Sequence, residues 1–400
     1  MKVKNLQIKN HAVLGSLELD FCDRNGDALD SIVIVGANGA GKTSLLDQIF
    51  RLFHHQEDVN GTVELSGKLA KILKKDSVTF GGKGGSSKSP IETSKALARY
   101  VRENQGLEEI MLLSSVVYNP IFPRYTPHGN ERRKQKHFEY SFLRSLGGEG
   151  ILSVSEFVKS FIESRVFKFR NTPPSRSEQK AVDEINNLFE GLELNTILKG
   201  LDYNAGNQAV FETKRGDRVD ISKLSSGEKE LFIRTLMVKF ANPNNSVIIV
   251  DEPDLSLHPK WQQKILRVYK KIGENNQIIF ATHSPHVMSA APRDSVRLLY
   301  RNKSGLVRIK KLDETPSSYG KDSDDILLNV MGLSSTRSLE MEGNLLEARK
   351  LISQGSLEKA KCKLDELLVV LGGDDRDLDS LRFEYNRKQK GIIGVKPDKK

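Results

Sequence analysis

Three stretches of the sequence carry groups suited to a nucleoside triphosphate. Gly36-Ala37-Asn38-Gly39-Ala40-Gly41-Lys42-Thr43-Ser44 meets the P-loop spacing, Gly-x-x-x-x-Gly-Lys-Thr. Glycines at 36, 39 and 41 let successive backbone N–H groups converge on phosphate oxygens at a helix N-terminus. Lys42 is then expected to reach the β- and γ-phosphates, and Thr43 to ligate Mg²⁺. The second stretch, Val247 to Asp254, sets four apolar residues before Asp251 and Glu252. This Walker B pattern predicts a buried strand ending at an active-site edge, with Asp251 holding Mg²⁺ and Glu252 orienting and polarising the attacking water. Two adjacent carboxylates at such a strand end are costly unless a cation compensates them. The third, Gln277 to Pro285, is another apolar run that ends in Thr282 and His283. In a strand beside Walker B, that imidazole could hydrogen-bond the γ-phosphate and sense its loss. A glycine-rich turn, a strand cap and a structural histidine are the ordinary alternatives. Their occurrence in series favours ATP with Mg²⁺.

These groups need a scaffold. Ile32–Val35 predicts the strand that feeds the P-loop, and the spacing after Lys42 predicts a helix ending near Phe53 to His55. KVKNLQI and LELDF predict two earlier strands, and Met111–Tyr118 a later buried one. Gly81 to Pro90 is too rich in Gly, Ser and Lys to build a core and reads as an exposed loop. From Pro120 to about Glu193, basic loops mix with amphipathic helices, interrupted at Pro173 and Pro174. The expected organisation is an ATPase lobe at 1–57, a basic insertion at 58–106, a returning strand at 107–124 and a helical lobe at 125–194. The second ATPase segment is 195–314, followed by a helical extension at 315–391 and a basic tail at 392–400. The class is α/β, with a mixed sheet.

The chain has 400 residues and a formal net charge of +10. That length can bury a large core, and that charge favours an anionic partner. The excess is concentrated around Lys68–Arg99, at Arg132, Arg133, Lys134 and Lys136, and at Arg165, Lys168, Arg170, Arg176 and Lys180. Solvated surface and DNA or RNA contact through the basic insertion are the two readings of these clusters. Two distant cysteines, Cys22 and Cys362, predict neither a disulfide framework nor a metal cluster. No apolar run is long enough to span a bilayer, and the N-terminal residues lack a secretory core. A cytoplasmic chain without a membrane partner is the expectation.

Leu224–Glu230, LSSGEKE, lies about twenty residues before Walker B and resembles the ABC signature. With the P-loop, Asp251-Glu252 and His283 in this order, the chain resembles the ABC-type ATPase class. The resemblance implies that two chains pair head to tail as a homodimer or a higher even oligomer. Ser225 and Gly227 of one chain would bind the γ-phosphate held by the other, with Ser226 beside them. A serine-capped helix is the plainer reading of the same residues. The segment DEPDLSLHP, with His258 where transporter domains carry aspartate, looks like the RecF, OLD and SMC side of the class. Ser318–Glu340 and the helices after it resemble the tail of Septu-type and retron-associated anti-phage ATPases. This implies a separate effector, an HNH-type nuclease or another toxin, whose activity ATP binding controls. The alternative is a RecF- or SMC-like DNA-repair clamp; the His258 segment and the lack of a membrane segment argue against a transporter. The extension predicts a helical hairpin broken at Gly355-Ser356, in which Leu364, Leu367, Leu368 and Leu371 read first as intrachain core and could dock a partner only if exposed.

Overall fold

The computed structural model describes residues 2–53, 60–66, 78–81, 116–119, 158–159, 161–163, 173–204, 206, 208–240, 243–312, 318–333 and 335–391. Most of the basic insertion, Arg132–Lys136, Arg165–Arg170 and the tail from 392 lie outside these residues. Two compact units result, Met1–Ile326 and Leu327–Lys400.

In the first unit the elements are β1 (Lys2–His11), β2 (Gly15–Asp20), β3 (Ser31–Val35), α1 (Lys42–Phe53), β4 (Gly61–Ser66), β5 (Val78–Gly81) and β6 (Val116–Asn119). Next come α2 (Pro174–Asn186), β7 (Thr196–Asp202), β8 (Gln208–Thr213), β9 (Arg218–Asp220), α3 (Ser226–Phe240), β10 (Val247–Asp251), α4 (Pro259–Gln262) and α5 (Ile265–Lys270). β11 (Gln277–Thr282), α6 (Pro285–Ala290), β12 (Val296–Arg301) and β13 (Val307–Lys311) complete it.

The central sheet runs β13-β12-β3-β11-β10-β6, parallel throughout except for the β12–β13 pair. Every residue of β3, β10 and β11 is buried, which is why these strands read as unbroken apolar runs: a parallel sheet is covered on both faces. Register then fixes the site. Val35 pairs with Thr282, and Asp251 with Ala281, so Gly36, Glu252 and His283 leave the sheet along one edge.

An antiparallel sheet, β2-β1-β4-β5, shares one apolar core with α1 and the central sheet, including Leu6, Leu19, Leu45, Ile49, Ile34 and Ile249. Two polar side chains stitch the sheets together. Gln277 donates from Nε2 to the carbonyls of Val3 (3.0 Å) and Leu29 (2.8 Å), and its Oε1 accepts from the Val3 amide (2.7 Å). Arg297, fully buried, donates to the carbonyls of Asp20 at the end of β2 (2.8 Å) and of Cys22 just after it (3.1 Å).

A third sheet, β7-β8-β9, stands between α2 and the signature, where a direct return to nucleotide chemistry was expected. It is antiparallel, and Asn186 at the end of α2 holds it by exchanging hydrogen bonds with the backbone of Leu198. No helix among the described residues is long and apolar enough to cross a membrane.

The second unit contains α7 (Leu339–Ser353), α8 (Leu357–Leu371) and α9 (Arg376–Gln389). The expected hairpin is α7 and α8, ended by glycines 355 and 372 at positive φ of 76° and 79°. A third helix closes the core. Leu364 and Leu367 are buried with Ala348, Ile352, Leu378 and Leu381, and Leu368 and Leu371 pack against the same cluster. These leucines serve the bundle core, as the first reading of the stripe expected, and the exposure that docking required is not met.

Candidate active site

The P-loop needs its glycines for two reasons. Gly39 and Gly41 sit at φ of 77° and 101°, a region that disfavours side chains, whereas a Cβ on Gly36 would stand 2.2 Å from the Leu299 carbonyl oxygen. Lys42 opens α1 and is buried. Its Nζ donates to the Gly36 carbonyl at 2.9 Å and lies 3.7 Å from Oε1 of Glu252. Ala37, Asn38 and Gly39 are exposed at the mouth of the loop, Ala40 is buried beneath them, and Ser44 is half-buried on α1.

Thr43 donates its hydroxyl to Oδ2 of Asp251 at 2.7 Å, joining residues 208 positions apart. The other carboxylate oxygen of Asp251, Oδ1, is buried without a hydrogen-bond partner. Burial pushes the Asp251 carboxyl above the usual range; the Thr43 hydroxyl and the nearby Arg234 and Lys42 cations oppose that rise. A hydroxyl, an unsatisfied buried carboxylate oxygen and a hard-oxygen donor set fit Mg²⁺, so Thr43 and Asp251 are the residues that would hold it.

Glu252 follows with a left-handed backbone, φ 45°, and its amide donates to the Ala281 carbonyl at 2.7 Å. That turn aims its side chain at Lys42 on one side and His283 on the other, where Nδ1 of His283 lies 2.8 Å from Oε2. Burial raises the Glu252 carboxyl, opposed by the adjacent His283 imidazole. Arg234 of α3, buried, donates to the main-chain carbonyls of both Asp251 and Glu252. Asp254, also buried and raised by burial, accepts the hydroxyl proton of Thr282. Ligand atoms of Glu252, Asp254 and His283 fall within 4.8 Å of one another. Arg234 and Asp254 were missed in the sequence, since neither belongs to a spacing pattern that names it.

At the signature, Ser225 and Ser226 are exposed and Gly227 is buried. Oγ of Ser225 donates to Oε2 of Glu228 at 2.9 Å while the Glu228 amide donates back to it at 3.3 Å, a reciprocal helix cap. Glu228 Oε1 in turn accepts from the Asn195 amide and the Thr196 hydroxyl, tying α3 to β7. A Cβ on Gly227 would stand 2.9 Å from the Ser256 carbonyl oxygen, so glycine also lets the signature approach the segment after Walker B. His258 caps α4, its Nδ1 accepting from the Lys260 amide at 3.2 Å.

The sequence model of a family described as "AAA domain, putative AbiEii toxin, Type IV TA system" matches residues 31–289, which holds every motif above. The chain belongs to this AAA-domain family. Among its relatives is a retron Vc95 probable ATPase of Vibrio cholerae serotype O1 biovar El Tor, 31% identical over 91% of this chain and 86% of that one. The Septu protein PtuA of Bacillus thuringiensis is 27% identical over 92% and 94% of the two chains. A solved Smc head bound to the C-winged helix domain of ScpA aligns with a TM-score of 0.48 at 15% identity, covering 78% of this chain and 98% of that one. This AAA-domain protein is thus similar over nearly its whole length to a Septu protein and to a retron protein named as a probable ATPase.

Proposed function

We propose that the protein binds and hydrolyses ATP, and that the cycle opens and closes a homodimer controlling a separate effector in antiviral defence. One observation carries the ATPase part: groups spread over 241 sequence positions meet at one sheet edge, with Thr43 on Asp251 (2.7 Å) and Glu252 between Lys42 (3.7 Å) and His283 (2.8 Å). Lys42 leaves its parking place on the Gly36 carbonyl to hold the β- and γ-phosphates. Glu252, raised by burial, takes up the proton of the attacking water and orients it, and His283 hydrogen-bonds the γ-phosphate. Thr43 and Asp251 would hold Mg²⁺, which would supply charge neutralisation for the phosphates.

The exposed Ser225 and Ser226 at the start of α3, with Gly227, are offered to the nucleotide of a second chain. The kinship with a Septu protein and a retron ATPase supports defence and an effector, with an HNH-type nuclease as the favoured class. Lys42→Ala is expected to abolish ATP binding. Glu252→Gln should keep binding and slow turnover by roughly 10²–10³-fold, and undiminished turnover would remove Glu252 from the chemistry. Ser225→Arg should block ATP-dependent dimerisation in light scattering; a variant that still dimerises and hydrolyses normally excludes the trans signature. Copurification with the product of the neighbouring gene tests the effector, and recovery of the chain alone, with no phage protection, counts against it.

A further inference from the structure

His283 projects into the site from an exposed position between two buried neighbours, Thr282 and Ser284. Both neighbours use their side chains to bind the stretch that follows Walker B. Thr282 donates its hydroxyl to Asp254 and accepts from the Ser284 amide at 2.9 Å. Ser284 donates to Oε1 of Gln262 at 2.7 Å, and Nε2 of Gln262 donates to the Leu257 carbonyl at 2.9 Å. The ring closes through the main chain from Asp254 to Gln262. Ser284 also caps α6, accepting from the Val287 amide at 3.2 Å.

These polar groups have no need of one another for packing. Gln262 is half-buried on the four-residue α4, where an apolar side chain of similar size would fill the volume, yet both ends of its amide are engaged. A satisfied polar ring in a low-dielectric setting holds one geometry more rigidly than apolar contacts do. The geometry held here is the backbone on both sides of one imidazole, which lies 2.8 Å from Glu252. We infer that Asp254, Thr282, Ser284 and Gln262 are positioning residues for His283: the ring fixes where its imidazole stands relative to Glu252, and hence to the γ-phosphate. This rests on the ATPase reading above. The exposed Leu255-Ser256 turn lies between Asp254 and Gln262, the two members of the ring on the stretch after Walker B.

The experiment uses the full-length chain with Thr282→Val, Thr282→Ser and Gln262→Leu, measuring steady-state ATPase, thermal stability and ¹³Cε1-histidine NMR. The signal of His283 is identified, among eight histidines, by its absence in His283→Gln. Misplacing a reacting group by about an ångström costs on the order of 10²-fold. Thr282→Val and Gln262→Leu should therefore lower kcat roughly 10–100-fold with KM for ATP nearly unchanged, and shift or broaden the His283 resonance. Thr282→Ser, which restores the hydroxyl, should recover both. Wild-type kcat in the two disrupting variants overturns the inference, as does a rise in KM matching the loss of rate, or an unmoved His283 signal. So does a loss of activity that follows melting temperature and is not rescued by serine. Absence of Lys42-dependent hydrolysis in the wild type would sink the ATPase reading instead, and the NMR comparison would then decide the positioning role by itself.

Discussion

Arg234 makes two bonds that a lysine cannot copy. Its planar fork reaches the carbonyls of Asp251 and Glu252 together, holding the backbone where Glu252 adopts its left-handed turn. Arg234→Met leaves both buried carbonyls without these donors, at a cost of about 1–3 kcal/mol for each unsatisfied group. Urea titration should therefore show lower stability, and turnover should fall further than the folded fraction accounts for; equal turnover per folded molecule would confine Arg234 to structure. At Gly227 the conflict is steric. The alanine methyl would meet the Ser256 carbonyl oxygen at 2.9 Å and the Trp261 ring at 3.3 Å, so Gly227→Ala should destabilise by about 1–3 kcal/mol, read by the same titration. The P-loop and Walker B residues were legible because their spacing is itself the chemistry. Arg234 was not, since its partners are main-chain carbonyls that every sequence possesses.

Helices α7 and α9 are pinned by a charged clasp. Arg337, just before α7, pairs with Asp375, the N-cap of α9, at 2.8 Å, and Asp375 also accepts from the amides of Asp377 and Leu378. Burial raises the Asp375 carboxyl, but Arg337 and those amides outweigh it and leave it below the usual range. A carboxyl lower in the folded than in the unfolded state stabilises above its unfolded value, about 3.9, and that contribution fades as pH falls through the folded one. Melting of the second unit should therefore become easier below about pH 4, and Arg337→Leu should flatten that dependence. An identical pH slope in the variant would remove the clasp from the account. Element by element, legibility followed burial. β3, β10 and β11 announced themselves because both faces are covered. The β7–β9 sheet did not: β9 has three residues, and the other two strands alternate over only a few positions. In α9 only Leu378 and Leu381 are buried, too few to print a helical period on a polar segment.

At the scale of the molecule, Gln277 joins the first strand of the chain to the central sheet through two hydrogen bonds with Val3, and holds the segment before β3 through a third to Leu29. Gln277→Leu preserves approximate volume and orphans the Val3 amide and the Val3 and Leu29 carbonyls. Differential scanning calorimetry should register a loss of about 2–4 kcal/mol, and an unchanged melting temperature would mean that the apolar core alone holds the two sheets. Sheet order also says something about time. Both neighbours of β3, β11 and β12, follow residue 276 in the chain, although β3 itself is finished at Val35. At about 5–20 residues per second of synthesis, the ribosome delivers the P-loop strand on the order of 15–50 s before either strand that will flank it. Throughout that interval the four apolar residues Ile32–Val35 have no flanking strand to pair with, and Thr43 has no Asp251 to meet until β10 emerges. A nascent chain that ends before β10 therefore cannot bring Thr43 to Asp251, and one cut short before β11 leaves the P-loop strand without either neighbour.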